Sequence, residues 1–275
     1  MTGILTALIL LSSSGLICGA LLAIASVFMS TEKDEGEVEI RAVLPGVNCG
    51  ACGYGTCDGY AAALASDNTV KTNLCIPGAD SVAEKLSQLT GAPYEGVVER
   101  IAYVKCGGGC SQTVRKHHYE GYGSCSAANM LYGGIWGCEW ACQGFGDCVL
   151  ACPDGAISIV DGMARVNARK CTGCGICVSV CPKGIIEMFY DSSRVIVTCS
   201  NHDKGAVARK KCKRSCIACR RCEKACPTDA IKVEDNLAVI NYELCTGCGE
   251  CARVCPTGCI EYADFRGVHN INNKM

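Results

Sequence analysis

Residues 171–182 read CTGCGICVSVCP, and the fold turns on what this stretch is for. Cys171, Cys174 and Cys177 stand three residues apart, Cys181 follows four later, and Pro182 closes the run. Thiols at that spacing on a tight loop can converge on three corners of a cube. The fourth sits on the helical turn that follows and points the other way. Proline then ends the turn, because it has no N–H to donate and disfavours helix in the residue before it. The same ending recurs at Cys152-Pro153, Cys226-Pro227 and Cys255-Pro256. A shift of 74 residues carries Cys171, Cys174, Cys177 and Cys181 onto Cys245, Cys248, Cys251 and Cys255, and Cys152 onto Cys226. From 138 onward the chain is therefore two tandem modules of one period.

In two-cluster ferredoxins the first three cysteines of such a run bind one [4Fe–4S] cluster and the fourth binds its neighbour. That crossed pairing groups Cys152 with Cys171, Cys174 and Cys177, and Cys226 with Cys245, Cys248 and Cys251. The first run of module one departs from the pattern. It reads C-x3-C-x5-C-x3-C-P, so its set is expected to be Cys138, Cys142, Cys148 and Cys181. Module two has Cys219 where module one has Phe145. The 74-residue register favours Cys212 as a ligand there, and the local C-x2-C-x2-C spacing favours Cys219. Three thiols on one loop lose less chain entropy than a set reaching further back, so Cys216, Cys219, Cys222 and Cys255 are the expected set. Two alternating apolar stretches, AISIVDGMARV and AIKVEDNLAVI, carry Asp161-Gly162 and Asp235-Asn236 and predict short hairpins over the clusters.

Composition bounds the alternatives. The chain has 275 residues, 27 of them cysteine and 32 glycine, with a formal net charge of −1. Disulfide scaffolds are short secreted chains with scattered cysteines, unlike these tight runs. An array of four-cysteine zinc sites does not account for the C-P endings or the crossed pairing. Upstream, PGVNCGACGYGTC gives Cys49, Cys52 and Cys57 in a Gly-rich loop, and Cys75 returns later. Three thiols from one loop and one from afar suit a cubane better than zinc, which prefers two separated CxxC pairs. A small helix is expected over Gly59–Ser66, and a second over SVAEKLSQLTG, ending at Gly91. Cys106, Cys110, Cys125, Cys199 and Cys212 exceed the count for five clusters. Cys125-Ser126 maps onto Cys199-Ser200 under the same shift. These thiols either pack as small buried side chains or ligate a further cluster. Adjacent His117 and His118 read as solvent-exposed.

The N-terminus has no charged residue from Gly3 to Met29. That run exceeds the ~20 residues a bilayer needs, and it lacks the basic start of a signal peptide. It is expected to be a retained membrane anchor, with Cys18 merely packing in it. Residues 30–44 read as a charged linker. The basic run from Lys204 to Lys224 suits either docking of an acidic electron carrier, with Lys210, Lys211, Lys213 and Arg214 as contacts, or charge balance for thiolate-bound clusters. Without interleaved aromatics, nucleic acid is not an expected partner.

An uncharged N-terminal segment, the GVNCGACGYGTC domain with a distant fourth cysteine, and two tandem ferredoxin modules together make the chain resemble the B subunits of the Rnf family of ion-translocating ferredoxin:NAD oxidoreductases. The resemblance covers essentially the whole length. It implies an α+β protein: anchor 1–30, four-cysteine domain 31–91, connecting segment 92–137, and ferredoxin-like modules 138–190 and 191–275. It also implies at least five [4Fe–4S] clusters, and electrons entering from soluble ferredoxin and leaving to membrane and flavin-binding subunits. The chain would be single-pass in the cell (inner) membrane, with its bulk on the cytoplasmic side, where thiols stay reduced until loaded. It carries no glycine motif for a nucleotide and no acid–base constellation, so NAD chemistry would lie elsewhere in the complex. A stand-alone membrane polyferredoxin serving another reductase is the alternative.

Overall fold

The computed structural model describes residues 2–29, 35–190 and 195–263. Helix α1 (Thr2–Met29) has 28 residues and no acidic or basic side chain in its end turns. Its side chains are described without a break over 10–26. Among the described residues no helix is long and apolar enough to cross a membrane, so the expected anchor is not established by the fold. The charged stretch read as a linker holds a helix, α2 (Glu35–Val43), where it is described. Glu35 and Glu37 sit in its first turn and Arg41 in the last, as the helix dipole favours. Ile40 and Leu44, four apart, give it one apolar stripe, and both are buried.

That stripe packs on α3 (Cys57–Ser66) and α4 (Ala79–Thr90), around Tyr60, Leu64 and Leu86. Thr56 caps α3 by accepting from the Gly59 N–H, and Gly91 ends α4 in the left-handed region, as the sequence predicts. The Tyr60 hydroxyl donates to the Lys71 carbonyl at 2.6 Å, which fixes the loop that returns Cys75.

The stretch read as a connecting segment contributes a strand. β1 (Arg100–Val104) and α5 (Cys125–Met130) precede α6 (Asp147–Leu150), the hairpin β2 (Ile157–Val160) and β3 (Met163–Val166), α7 (Ile176–Val180) and β4 (Ile186–Tyr190). β1 pairs antiparallel with β4, Val104 opposite Ile186. The second unit repeats the plan in β5 (Val195–Val197), α8 (Gly205–Lys211), α9 (Arg221–Ala225), β6 (Ile231–Glu234), β7 (Leu237–Ile240), α10 (Glu250–Arg253) and β8 (Ile260–Tyr262). There β5 pairs antiparallel with β8, Val197 opposite Ile260. Both hairpins turn where the sequence puts them, through Asp161-Gly162 and Asp235-Asn236, all four residues at positive φ. Positive φ at both central positions is the turn whose twist matches paired strands.

The two units meet back to back. Ile101 and Phe189 of one pack against Ile196 and Ala263 of the other. Tyr103 lies edge-on to Phe189 and donates to Glu261 Oε2 at 3.3 Å. Alternation along β1 sends Ala102 and Val104 to the first unit's own core and Ile101 to this interface.

Candidate metal centres

Cys49, Cys52, Cys57 and Cys75 gather at the mouth of the N-terminal helical unit. Cys57 opens α3, and its N–H donates to Asn48 Oδ1 at 2.9 Å. Burial, with a smaller contribution from the nearby Cys57, Cys49 and Cys52, raises the Cys75 thiol to about 11.

Four loops in the two ferredoxin-like units share one backbone shape. The middle position of each is flanked by residues at positive φ: Gly173 and Gly175 about Cys174, Gly247 and Gly249 about Cys248, Ala218 and Arg220 about Cys219, and Gly144 and Gly146 about Phe145. Each loop runs into a short helix that buries its third cysteine: Cys177, Cys251, Cys222 and Cys148. Phe145 thus occupies the seat of a middle cysteine, and its loop is one thiol short.

The missing thiol comes from α5. Cys125, Cys142, Cys148 and Cys181 line one concavity of about 340 Å³, open mouth included. Cys138 does not line it. It lies with Cys106, Cys199 and Cys212 around a separate concavity between the two units. Of the expected set of Cys138, Cys142, Cys148 and Cys181, the last three line one concavity, where Cys125 stands in place of Cys138. The reason is local. Asp147, at the start of α6, accepts from the Cys125 N–H (Oδ1, 2.8 Å) and the Ser126 N–H (Oδ2, 3.1 Å), clamping the start of α5 over the loop. Asp147→Ala leaves two N–H groups unpaired, about 1–3 kcal/mol each where buried. Iron and sulfide analysis of that variant should show partial loss at this site alone; full retention would mean that Cys125 needs no clamp.

In the second unit Cys216, Cys219, Cys222 and Cys255 line a concavity of about 300 Å³, as local spacing predicts. Cys259, to which the spacing gives no role, also lines it and lies 3.6 Å from Cys255. The shift of 74 places it opposite Ile185, which lines the matching concavity of the first unit, so Cys259 fills a packing position. As hydrogen-bond donor it lowers the Cys255 thiol to about 5, and its own pKa is raised. Cys226, Cys245, Cys248 and Cys251 line a third, of about 310 Å³. Cys152, Cys171 and Cys174 surround Cys177, whose thiol burial raises to about 12.

Each concavity is lined by at least four thiols, the ligand number of a [4Fe–4S] cluster. Among the described residues no three His, Cys, Asp or Glu side chains are placed to hold one metal ion. Backbone N–H groups already aim at sulfur, as from Ala156 to Cys152 at 3.3 Å, a feature that tunes iron–sulfur centres. The residues fit [4Fe–4S] clusters. Cys49 of the N-terminal unit lies close enough to Cys174 to raise its thiol.

Other expected residues fall elsewhere. Lys211 pairs with Asp203 at 2.8 Å, and Arg214 with Glu261, so two of the four expected docking cations are tied to this chain's own carboxylates. Arg209, Lys210 and Lys213 are exposed. Cys110 is exposed, and so is Cys18 in α1. His117 is half-buried against the Tyr132 ring rather than exposed, while His118 is exposed beside Glu120.

Comparison with known proteins agrees with this geometry. Residues 44–77 match the FeS family, an iron–sulfur cluster family, and residues 141–185, 170–231 and 208–262 match 4Fe-4S dicluster domains. The chain is 41% identical over 245 residues to the B subunit of the proton-translocating ferredoxin:NAD(+) oxidoreductase complex of Clostridium ljungdahlii, covering 89% of this chain and 86% of that one. It is 36% identical to the B subunit of the ion-translocating oxidoreductase complex of Methanosarcina acetivorans, covering 87% and 91%. It is 40% identical to the B subunit of the Na(+)-translocating ferredoxin:NAD(+) oxidoreductase complex of Acetobacterium woodii, covering 83% and 69%.

Proposed function

The chain belongs to the family of B subunits of ion-translocating ferredoxin:NAD oxidoreductase complexes, and from that premise we propose that it is the membrane-anchored subunit through which electrons from reduced ferredoxin reach the rest of the complex. It is an iron–sulfur electron carrier of such a complex. The observation that carries the finer reading is the spread of four-cysteine sets over the second ferredoxin-like unit, the first, and the N-terminal helical unit, whose Cys49 lies within electrostatic range of Cys174. Five sets belong to this reading: Cys49, Cys52, Cys57 and Cys75; Cys152, Cys171, Cys174 and Cys177; Cys125, Cys142, Cys148 and Cys181; Cys216, Cys219, Cys222 and Cys255; and Cys226, Cys245, Cys248 and Cys251. Each cluster supplies a one-electron redox centre. The chain's own residues fix the order, bury the thiolates and aim N–H groups at them.

The units differ in surface character, and that supports a direction. Cys219 is exposed at the second unit, beside Arg220 and Arg221, and α8 of that unit carries Arg209 and Lys210 in its last turn. This basic surface suits an acidic carrier such as ferredoxin. The N-terminal helical unit follows α1 in the chain. The exposed Leu10, Leu11, Leu16 and Leu22 of α1 suit a lipid environment, with the remainder of the chain on the cytoplasmic side. Membrane-embedded and flavin-binding subunits of the complex would take the electrons there.

The test uses charge reversal at exposed cations with no ion pair among the described residues. Arg209→Glu, Lys210→Glu and Lys213→Glu together should slow reduction by reduced ferredoxin about tenfold or more at low salt, since steering contributes 10–10³ to such rates. The gap should narrow as salt rises. A stopped-flow rate unchanged at both ionic strengths, with iron content intact, would mean that electrons arrive elsewhere on the chain.

A further inference from the structure

Four cysteines outside the five sets lie together. Cys106, Cys138, Cys199 and Cys212 are all buried and line one concavity of about 300 Å³, the same size as that of Cys216, Cys219, Cys222 and Cys255. Each ferredoxin-like unit contributes an equivalent pair. Cys106 stands two residues past the end of β1 and Cys199 two past the end of β5. Those strands end opposite Ile186 and Ile260, which correspond under the 74-residue shift. Cys138 and Cys212 correspond under the same shift. The sequence match of Cys125 to Cys199 is therefore superseded: the structural counterpart of Cys199 is Cys106, and Cys125 lies in chain that the first unit has in excess.

Backbone pairing builds the site across the boundary. Gly107 donates to the Thr198 carbonyl at 2.7 Å, which binds the ends of β1 and β5 together. Val114 donates to Lys211 O and Lys213 to Gln112 O, both at 2.9 Å, and Gly137 donates to Val114 O at 2.8 Å. The segment around Thr113 thus carries Cys212 on one side and Cys138 on the other. Gly108 has to be glycine, because a Cβ there would stand 2.6 Å from Cys212 Sγ. This explains the run of glycines after Cys106.

The sulfurs are already served by donors. The Thr113 hydroxyl lies 3.5 Å from Cys212 Sγ, and the Asn201 side-chain amide 3.5 Å from Cys138 Sγ. The N–H groups of Asn201 and Cys216 lie 3.4 and 3.3 Å from Cys199 Sγ. Asn201 is 1% exposed, so these donors are not spent on water. The Cys216 N–H belongs to a residue of the next set, so the two sets adjoin. On the other side, the buried Cys106 thiol is within electrostatic range of Cys142.

We infer that Cys106, Cys138, Cys199 and Cys212 hold a sixth [4Fe–4S] cluster, which joins the two ferredoxin-like units into one electron path. The inference rests on the reading of the other five sets as cluster sites. In each passage one electron arrives from the reduced cluster of Cys216, Cys219, Cys222 and Cys255. The same electron then leaves to the oxidised cluster of Cys125, Cys142, Cys148 and Cys181. The junction returns to its starting state and no proton moves. The external donor is a low-potential one-electron carrier of the ferredoxin class.

The test is done on the full chain, purified anaerobically. The native protein should hold about 24 irons, and Cys199→Ala with Cys212→Ala about 20, with the other clusters still visible by EPR. After mixing with reduced ferredoxin, freeze-quench EPR of that variant should show the first unit's clusters reduced at least a hundredfold more slowly. A native count near 20 that the variant does not change would overturn the sixth site and leave the other five standing. A native count near zero, or zinc throughout, would overturn the broader reading instead. One zinc per chain, lost in the variant, would make the site a zinc site and also overturn the inference. Should the double variant fail to fold, Thr113→Val keeps the shape and removes one donor to sulfur. It should shift the midpoint potential of one cluster downward at unchanged iron content; no shift in any signal would count against the site.

Discussion

Cys125→Ala removes one [4Fe–4S] cluster, about four irons, and Phe145→Cys in the same background restores it. The first half follows from Cys125 lining the concavity of Cys142, Cys148 and Cys181. The second follows from the loop itself. Gly144 (φ 77) and Gly146 (φ 89) flank Phe145 as Gly173 (φ 73) and Gly175 (φ 75) flank Cys174. A thiol at 145 therefore starts from a backbone already shaped to deliver it. The exchange has a cost, since half-buried Phe145 packs edge-on against Tyr119 at 5.4 Å, though less than the ~3–5 kcal/mol of truncating a fully buried Phe. The rescued chain should melt earlier than the native one while holding the same iron. Cys138→Ala gives the contrast: it too should lose about four irons, from the junction site, but Phe145→Cys should not restore them. Rescue of Cys138→Ala in place of Cys125→Ala, in folded protein, would return Cys138 to the set that spacing alone suggests.

What the sequence shows directly is whatever lies within a dozen residues of itself. The C-x2-C-x2-C-x3-C-P runs, the Asp-Gly and Asp-Asn turns, and the Gly91 helix stop are each specified locally, and the fold follows them. Cys219 was legible for the same reason: its loop carries three thiols with no help from elsewhere. Cys125 was not legible. Phe145 shows that a thiol is missing, but the nearest cysteine upstream of Cys142 is Cys138, and only the clamp from Asp147 points to Cys125. The signal was an acidic residue at the loop's helix start with no evident partner. β1 was hidden because its partner, β4, lies far along the chain, and five residues of alternation are a weak pattern alone. α2 was hidden by its charges, although Ile40 and Leu44 at one-turn spacing were visible. The equivalence of Cys106 and Cys199 was masked because the first unit carries extra chain between β1 and its first loop. The shift that aligns everything downstream then fails upstream.

Stripping iron from the full chain should abolish cooperative melting of both ferredoxin-like units and leave the N-terminal helical unit folded. The two parts are built differently. The core of the first ferredoxin-like unit includes Cys106, Cys138, Cys142, Cys148 and Cys177 among its buried side chains, and that of the second includes Cys199, Cys216, Cys222 and Cys251. Without metal, burial holds Cys148 and Cys177 near 12 and Cys222 and Cys251 near 11, so these are small neutral thiols, while the hydrogen bond with Cys259 lowers Cys216 to about 6 and leaves a charge in the core. The sheets of these cores have only two strands each, and two-stranded sheets are marginal by themselves. Structural metal sites contribute on the order of 10 kcal/mol each, as much as the whole stability of a typical domain, ~5–15 kcal/mol. Ile40, Leu44, Tyr60, Leu64 and Leu86 form the N-terminal core around one four-cysteine set at its edge, so that unit keeps an apolar centre when its iron is gone. Circular dichroism after chelation under anaerobic conditions should show the strand signal lost, the helical signal of α1, α3 and α4 largely kept, and one small residual transition on heating. A chelated chain that still melts in one cooperative step near the native temperature would mean that packing, and not the metal, holds the ferredoxin-like units together.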